Sequence, residues 1–362
     1  MNAMQHLHLI EAPVDLPHLQ CPNRVIRSAT HDFLGTSDGR MTEAQCRMYE
    51  ALAENRVGTI ISGHACVAIG GRATPDQTGI WDDSFIEGLA ETVRCIHARG
   101  SRFIVQISHA GPRAVDSEDL ADVTAREMTK NRHARSLTIE EIRHLVADFA
   151  AAAHRVQQAG ADGVQLHAAH SYLLSRFLDP YFNMRDDAYG GSAENRFRMI
   201  EETIAAIRAV CGEDFPIFLK VNSDTKGDDA AYRDNILWIV RRCCALGVDL
   251  VELSGADFIN QPHDARLYYL DRAAWLKREV PRQAMSLVGG VRSLADMEEV
   301  LSAGIDMVSL SRALIAEPDF VTKQLAGGDA SICVSCCRCF VLPAMRPGVR
   351  CVQAWRKLQA KD

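Results

Sequence analysis

One short phrase recurs three times along the chain: Ala-Gly160-Ala-Asp162-Gly, Leu-Gly247-Val-Asp249 and Ala-Gly304-Ile-Asp306. Each lies between an amphipathic run and a short apolar run. Glycine tolerates the left-handed backbone at a helix C-terminus, so the phrase reads as a helix C-cap and a turn into a parallel strand. Apolar runs of strand length lie at residues 25–29, 58–62, 102–106, 163–166, 216–220, 250–253, 285–288 and 307–310. Helical patterns such as 139–159 and 197–210 fall between them. Eight such units argue for an α/β fold, a closed (β/α)8 TIM barrel rather than an open sheet.

The length of 362 residues suits one large barrel or two ordinary domains. Residues 1–330 are assigned to the barrel, with 1–22 an extended lead-in closing its bottom, and 331–362 to a cysteine-bearing extension. A net charge of −7 without a long basic run argues against a nucleic-acid partner. No apolar stretch approaches the roughly 18 residues needed to cross a bilayer, so no membrane partner is expected. The N-terminus lacks the pattern of a signal peptide, and a cytoplasmic protein is expected. No Gly-x-Gly-x-x-Gly follows a strand, so no dinucleotide-binding fold is expected.

Barrel chemistry sits at the C-terminal ends of the strands. The polar residues there are Thr30, Gln106, His167, Lys220, Ser254, Gly289-Gly290 and Ser311-Arg312. The richest stretch is His167-Ala-Ala-His170-Ser-Tyr172, at the end of a strand. A lone histidine in an apolar segment is usually a satisfied core residue. Two imidazoles and a phenol in one short loop can instead hold a carbonyl oxygen and deliver a proton to a neighbouring carbon. Donors placed where charge develops are typically worth about 3–4 kcal/mol each, and Tyr172 is the candidate acid. Residues 189–196 read as structural, a Gly-Gly turn with Ser192 as helix N-cap and Asn195 and Arg196 locking the turn. Gly289-Gly290-Val-Arg292 and Ser311-Arg312 suit a phosphate, or two tight turns with a surface arginine.

The segment 167–196, with Phe177-Leu-Asp-Pro180, Asn183-Met-Arg185 and Tyr189-Gly-Gly-Ser192-Ala-Glu-Asn195-Arg196, closely resembles the old yellow enzyme family of FMN-dependent ene-reductases. The tail, Cys333-Val-Ser-Cys336-Cys337-Arg-Cys339 with Cys351, is similar to the 2,4-dienoyl-CoA reductase-like branch. The resemblance runs from about Asn23 to Cys351. It implies an FMN oxidoreductase that reduces the C=C bond of α,β-unsaturated carbonyl compounds with NAD(P)H in a ping-pong cycle. His167 and His170 would then hold the carbonyl oxygen. The resemblance also implies a flavin site. Gly289, Gly290, Ser311 and Arg312 take the phosphate, and Ala29, Thr30 and His64 lie by the ring. Gln106 faces its pyrimidine edge, and Lys220 lies near N1 and O2. Many relatives have Arg at the position of Lys220, and lysine keeps the charge but loses the guanidinium fork. Thr30 replaces a cysteine that some relatives place by the flavin, which excludes a cysteinyl-flavin link there. Nothing chooses NADH over NADPH.

Twelve cysteines are present. Seven are scattered and read as reduced, buried small hydrophobes. Cys333, Cys336, Cys339 and Cys351 resemble a four-iron (4Fe-4S) cluster motif, although that branch usually spaces its third cysteine one residue later. Zinc suits the spacing almost as well, and an empty remnant is the third reading. Long relatives continue with FAD and NADPH domains, whereas this sequence ends eleven residues after Cys351. A cluster would therefore lack an intramolecular electron donor. Rival functions are an oxidative demethylase or amine oxidoreductase, a flavin/iron-sulfur electron-transfer protein and, more remotely, a zinc hydrolase using His167 and His170. The expected partners are a small-molecule substrate and a nicotinamide nucleotide; a homo-oligomer is left open.

Overall fold

The computed structural model describes residues 8–130, 132–225, 229–340 and 348–359. Eight parallel strands form a closed ring: β1 Val25–Arg27, β2 Thr59–Ile61, β3 Arg102–Ser108, β4 Gly163–Ala168, β5 Ile217–Asn222, β6 Leu250–Ser254, β7 Met285–Val288 and β8 Met307–Leu310. The ring is closed by pairing of β3 with β4 and of β8 with β1. The helices are α1 Glu43–Glu54, α2 Ile86–His97, α3 Ile139–Gln158, α4 Leu173–Leu178, α5 Ala193–Cys211, α6 Asp229–Ala245, α7 Leu270–Glu279, α8 Leu294–Ser302, α9 Arg312–Ala316, α10 Phe320–Leu325 and α11 Val352–Gln359. The TIM barrel expected from the repeated phrase is thus present, with helices packed around it.

The phrase has a second use that the sequence alone did not show. Gly160, Gly247 and Gly304 adopt φ of 81°, 67° and 91°, the left-handed caps expected. Two residues on, each aspartate reaches sideways to the first amides of the preceding strand. Asp162 accepts from the N–H of Phe103 at 2.7 Å, Asp249 from Ile217 at 2.8 Å and Asp306 from Met285 at 2.8 Å. These amides lie at strand starts, where a ladder partner is missing, and a carboxylate satisfies them well. Side chains also start the helices. Thr42 and Thr138 form capping boxes with Gln45 and Glu141, and Ser192 accepts from the Asn195 amide at 3.1 Å, as predicted.

Side chains alternate across each strand, so every second residue points into the barrel. At the bottom, Ile26, Ile61, Ile104, Phe218, Leu250 and Met307 form an apolar layer, each 0% exposed. The lead-in seals it: Val14–Asp15 pairs antiparallel with Gln20–Cys21, and Val14, Leu16, Leu19 and Cys21 pack upward onto the layer. One step higher the inward residues are Ser28, Gln106, Gln165, Lys220, Glu252, Ser286 and Ser309, a polar layer beneath the mouth. A larger apolar shell, including Phe103, Phe149, Phe197 and Phe320, fills the space between strands and helices.

Residues 113–135 carry no decodable sequence signal and read as a loop. The structure instead places three short strands there, Ala121–Asp122, Arg126–Thr129 and Arg132–Ser136. The last two carry one apolar packing side chain each, the half-buried Met128 and the buried Ala134, among polar neighbours, and meet with a register irregularity, so no apolar alternation marks them.

Asp249 is fully buried and accepts from Ile217 N, His18 N and His18 Nδ1. Asp249→Ala strands these donors and is expected to cost roughly 3–5 kcal/mol. The nearby, exposed Asp214 should tolerate Ala to within about 0.5 kcal/mol. Urea denaturation of the two variants checks this; equal midpoints would remove the clip from the account of stability.

Candidate active site

The strand register decides what stands beside what. His167 is the register partner of Lys220, and Lys220 that of Glu252. Lys220 Nζ donates to Ser28 Oγ at 2.7 Å and lies 3.4 Å from Glu252 Oε2. The same Glu252 oxygen accepts from Gln165 Nε2 at 2.9 Å, and Gln165 Oε1 accepts from Gln106 Nε2 at 2.7 Å. One buried chain of bonds thus crosses the barrel from Gln106 to Ser28. Burial pulls the Lys220 ammonium below its ordinary value, and the Glu252 carboxylate pushes the other way. Among the described residues, Glu252 Oε1 is buried with no hydrogen-bond partner.

The loop after β4 is held in an unusual backbone shape. His170 and Ser171 have φ of 60° and 59°, a region that costs non-glycine residues of order 1–3 kcal/mol each. Asn222 Oδ1 accepts from His170 N at 3.2 Å, His170 Nε2 bonds Ser254 Oγ at 2.9 Å, and Arg113 donates to His170 O at 3.2 Å. Tyr172 follows as the N-cap of α4, which is anchored from outside. Arg176 donates from Nε to Asp122 Oδ1 at 2.6 Å and pairs through Nη2 with Oδ2, both residues being buried. The small three-stranded lobe thereby clamps the helix that carries the loop. The rings of His167 and Tyr172 lie 4.6 Å apart and those of His167 and His170 5.3 Å apart. His167 Nδ1 is buried with no hydrogen-bond partner among the described residues. Burial, helped by the neighbouring cations, holds His167 and His170 well below the usual imidazole range. Burial pushes the Tyr172 phenol up to about 12.

These groups share one cavity of about 720 Å³, a size suited to a cofactor with a small substrate. Its wall takes in Ala29, Thr30, His64, Gln106, Lys220, Gly289, Ser311 and Arg312 together with His167, His170 and Tyr172. Gly290 opens instead onto an adjoining cavity of about 40 Å³ with Cys333 and Ser335. At φ 75°, a Cβ on Gly290 would lie 2.6 Å from the Leu267 amide nitrogen, so the close approach requires glycine. Thr30 Oγ1 bonds Ser311 Oγ at 2.9 Å. The Arg312 fork is turned toward the tail, donating to Tyr268 Oη at 3.2 Å, Cys337 Sγ at 3.0 Å and Ser335 O at 3.4 Å. His64 stands against Tyr172, its Nε2 3.2 Å from the phenol oxygen.

The four-iron and zinc readings of the cysteine motif find no support in the structure. Cys333, Cys336, Cys337, Cys339 and Cys351 do gather, around a space of only about 10 Å³. Yet no group of three or more His, Cys, Asp or Glu side chains among the described residues is arranged to hold a metal ion. Cys337, at φ 52°, faces Arg312. Residues 341–347, between Cys339 and Cys351, lie outside the described residues. The tail acts as a strap over the end of β8, with Ser335 Oγ bonded to Tyr268 Oη at 2.9 Å and Val334 O to His263 Nδ1 at 2.9 Å.

The fold and site define a class, an FMN-binding barrel oxidoreductase. The sequence profile of the NADH:flavin oxidoreductase / NADH oxidase family matches residues 10–328, and the chain belongs to that family. It is an FMN-dependent NAD(P)H oxidoreductase. It is similar to the NADPH dehydrogenase of Halalkalibacterium halodurans, 32% identical over 298 residues that cover 82% of this chain and 88% of the relative. Among solved structures it resembles the old yellow enzyme homologue from Zymomonas mobilis (TM-score 0.77, 22% identity, 90% of this chain and 94% of that one). It also resembles a 2-naphthoyl-CoA reductase in complex with 2-naphthoyl-CoA (TM-score 0.87, 24% identity, 95% of this chain). This chain spans 56% of the length of that last protein. No described helix is long and apolar enough to cross a membrane.

Glu252, Gln165, Ser28 and Gln77 escaped the reading of the sequence. Glu252 left a signal, a carboxylate at an inward position of an apolar strand, Leu-Val-Glu252-Leu. His64, His109, His167 and His170 have folded pKa values depressed by burial. The unfolded chain therefore binds protons that the folded one refuses, and stability falls as pH drops below about 6.5. Each contributes a slope of up to about 1.4 kcal/mol per pH unit. Urea midpoints between about pH 7.5 and 5 should show His167→Gln losing about one proton of that slope. Parallel profiles would mean that His167 titrates normally in the folded protein.

Proposed function

We propose that the protein reduces the activated C=C bond of α,β-unsaturated carbonyl compounds with NAD(P)H, and that His167, His170 and Tyr172 carry the substrate chemistry. The observation behind this is the meeting of two neutral imidazoles and a protonated phenol over the same cavity as Lys220. The residues suit FMN: glycines without side chains at the β7 end, hydroxyls at Thr30 and Ser311, an amide at Gln106 and an ammonium at Lys220. Gly289, Gly290, Ser311 and Arg312 would hold the phosphate, Ala29, Thr30 and Gln106 the ring, and Lys220 its electron-rich edge. When bound there, FMN accepts a hydride from the nicotinamide and supplies it to the substrate's β-carbon.

The protein's own part is to steady charge and to place a proton. Negative charge gathers on the carbonyl oxygen as the β-carbon is reduced. A neutral imidazole carries one N–H that can donate to it, and fixed donors in a water-poor site stabilise it most. His167 has a ring nitrogen without a hydrogen-bond partner among the described residues. His170 exchanges its bond to Ser254 to take part. The Tyr172 phenol, kept protonated by burial, then gives its proton to the α-carbon. The name of the Halalkalibacterium relative favours NADPH as reductant. The 2-naphthoyl-CoA bound by a neighbour is itself a conjugated carbonyl compound.

Anaerobic rapid mixing separates the halves of the cycle. NADPH should bleach the flavin and 2-cyclohexenone should restore it. Tyr172→Phe should slow the restoration by about 10²–10⁴-fold and leave bleaching nearly unchanged. A flavin that bleaches but does not respond to enones would sink this reading and favour the oxidative or electron-transfer alternatives.

A further inference from the structure

Gln77 is fully buried and does not itself line the substrate cavity, yet its bonds to His64 decide where a proton sits inside it. Its Oε1 accepts from the backbone N–H of Ala73 at 2.5 Å, and its Nε2 donates to the backbone carbonyl of His64 at 2.9 Å. A backbone N–H only donates and a carbonyl only accepts, so these two contacts fix which end of the amide is which. The same Nε2 lies 2.5 Å from His64 Nδ1 and 3.3 Å from Ser108 Oγ. His64 Nδ1 must then accept. A neutral imidazole that accepts at Nδ1 carries its proton on Nε2, and that nitrogen faces the Tyr172 oxygen at 3.2 Å. With its oxygen already receiving a hydrogen bond, Tyr172 has its own O–H free to turn elsewhere, toward the space it shares with His167.

We propose that Gln77 and His64 are positioning residues: they lock one imidazole tautomer, aim the Tyr172 hydroxyl hydrogen into the cavity, and hold the phenolate left behind. This rests on the ene-reduction reading. In the step concerned the Tyr172 O–H bond breaks, its proton bonds to the substrate's α-carbon, and the electron pair stays on the phenol oxygen. His64 Nε2–H steadies that charge until water returns a proton. A protonated His64 would set an N–H against the Gln77 amide hydrogens, so the contact disfavours that form. Burial acts in the same direction.

The test has a spectroscopic and a kinetic part. In holoenzyme labelled with ¹⁵N-histidine, the His64 resonances are identified by their loss in His64→Gln. They should show a protonated Nε2 and an unprotonated Nδ1 down to about pH 5. The opposite tautomer, or protonation near neutral pH, overturns the lock. In anaerobic rapid mixing, His64→Phe should slow enone-driven reoxidation at least about tenfold more than it slows reduction by NADPH. His64→Gln, whose amide nitrogen falls where Nε2 stood, should recover the rate to within about threefold of wild type. In the Tyr172→Phe background, His64→Phe should add nothing. An equal further loss there, or no recovery with glutamine, overturns the proposal. If Tyr172→Phe does not slow reoxidation at all, Tyr172 is not the proton donor and the proposal falls; a wild-type flavin that enones do not reoxidise sinks the ene-reduction reading itself, and the nitrogen shifts alone then decide the lock.

Discussion

Everything at the mouth of this barrel depends on the vertical phase of its strands, and three carboxylates at the other end help to set it. Asp162, Asp249 and Asp306 each leave a helix cap, enter a strand and bind the first amides of the strand before it. Side chains alternate with a period of two, so a slip of one residue would turn every inward group outward. Holding β4 to β3, β6 to β5 and β8 to β7 at the bottom keeps His167 level with Lys220 and Lys220 level with Glu252 at the top. A turn signal visible in the sequence thus also fixes the register of the catalytic end.

The polar layer shows why the register must be kept. A lysine and a glutamate inside a barrel both lose hydration, and their attraction offsets that loss only with well-placed partners. Here Ser28, Gln165 and Gln106 supply partners along one line, and the apolar layer below excludes water. The compensation is incomplete: the ammonium's affinity for its proton is weakened, and Glu252 Oε1 has no hydrogen-bond partner among the described residues. Incomplete compensation leaves the cation able to meet a negative partner in the cavity, which a fully satisfied ion pair would not.

Much of this was legible before any coordinates, and the reasons are local. Gly-x-Asp phrases and apolar runs are short-range signals, and His167, His170 and Tyr172 declare themselves by crowding into one loop. Pairings between strands are not local. Glu252 is visible as an odd carboxylate, but its partners Lys220 and Gln165 lie on other strands and follow only from the register. Gln77 sits in a loop, and its role exists only through contacts with Ala73, His64 and Ser108. The strands at 126–136 are mostly polar, with Met128 and Ala134 isolated among polar neighbours, and so carry no periodic mark. The Arg312 fork, expected at a phosphate, lies against the tail, because residues 331–340 fold back over β8. The tail's cysteines gather as their spacing suggested without adopting a metal-holding arrangement among the described residues.

The left-handed pair His170 and Ser171 carries a consequence for anyone who tries to harden this protein against heat. Glycine at either position would relieve the backbone and score as an improvement in a screen for melting temperature. Glycine at 170 would delete the imidazole itself, and glycine at 171 would free the loop to wander, so that His170 would lose the fixed bearing that Asn222 and Ser254 now give it. Stability and competence pull apart at these two residues. A thermostabilisation campaign would do well to leave them alone and look for its gains on the outer helices.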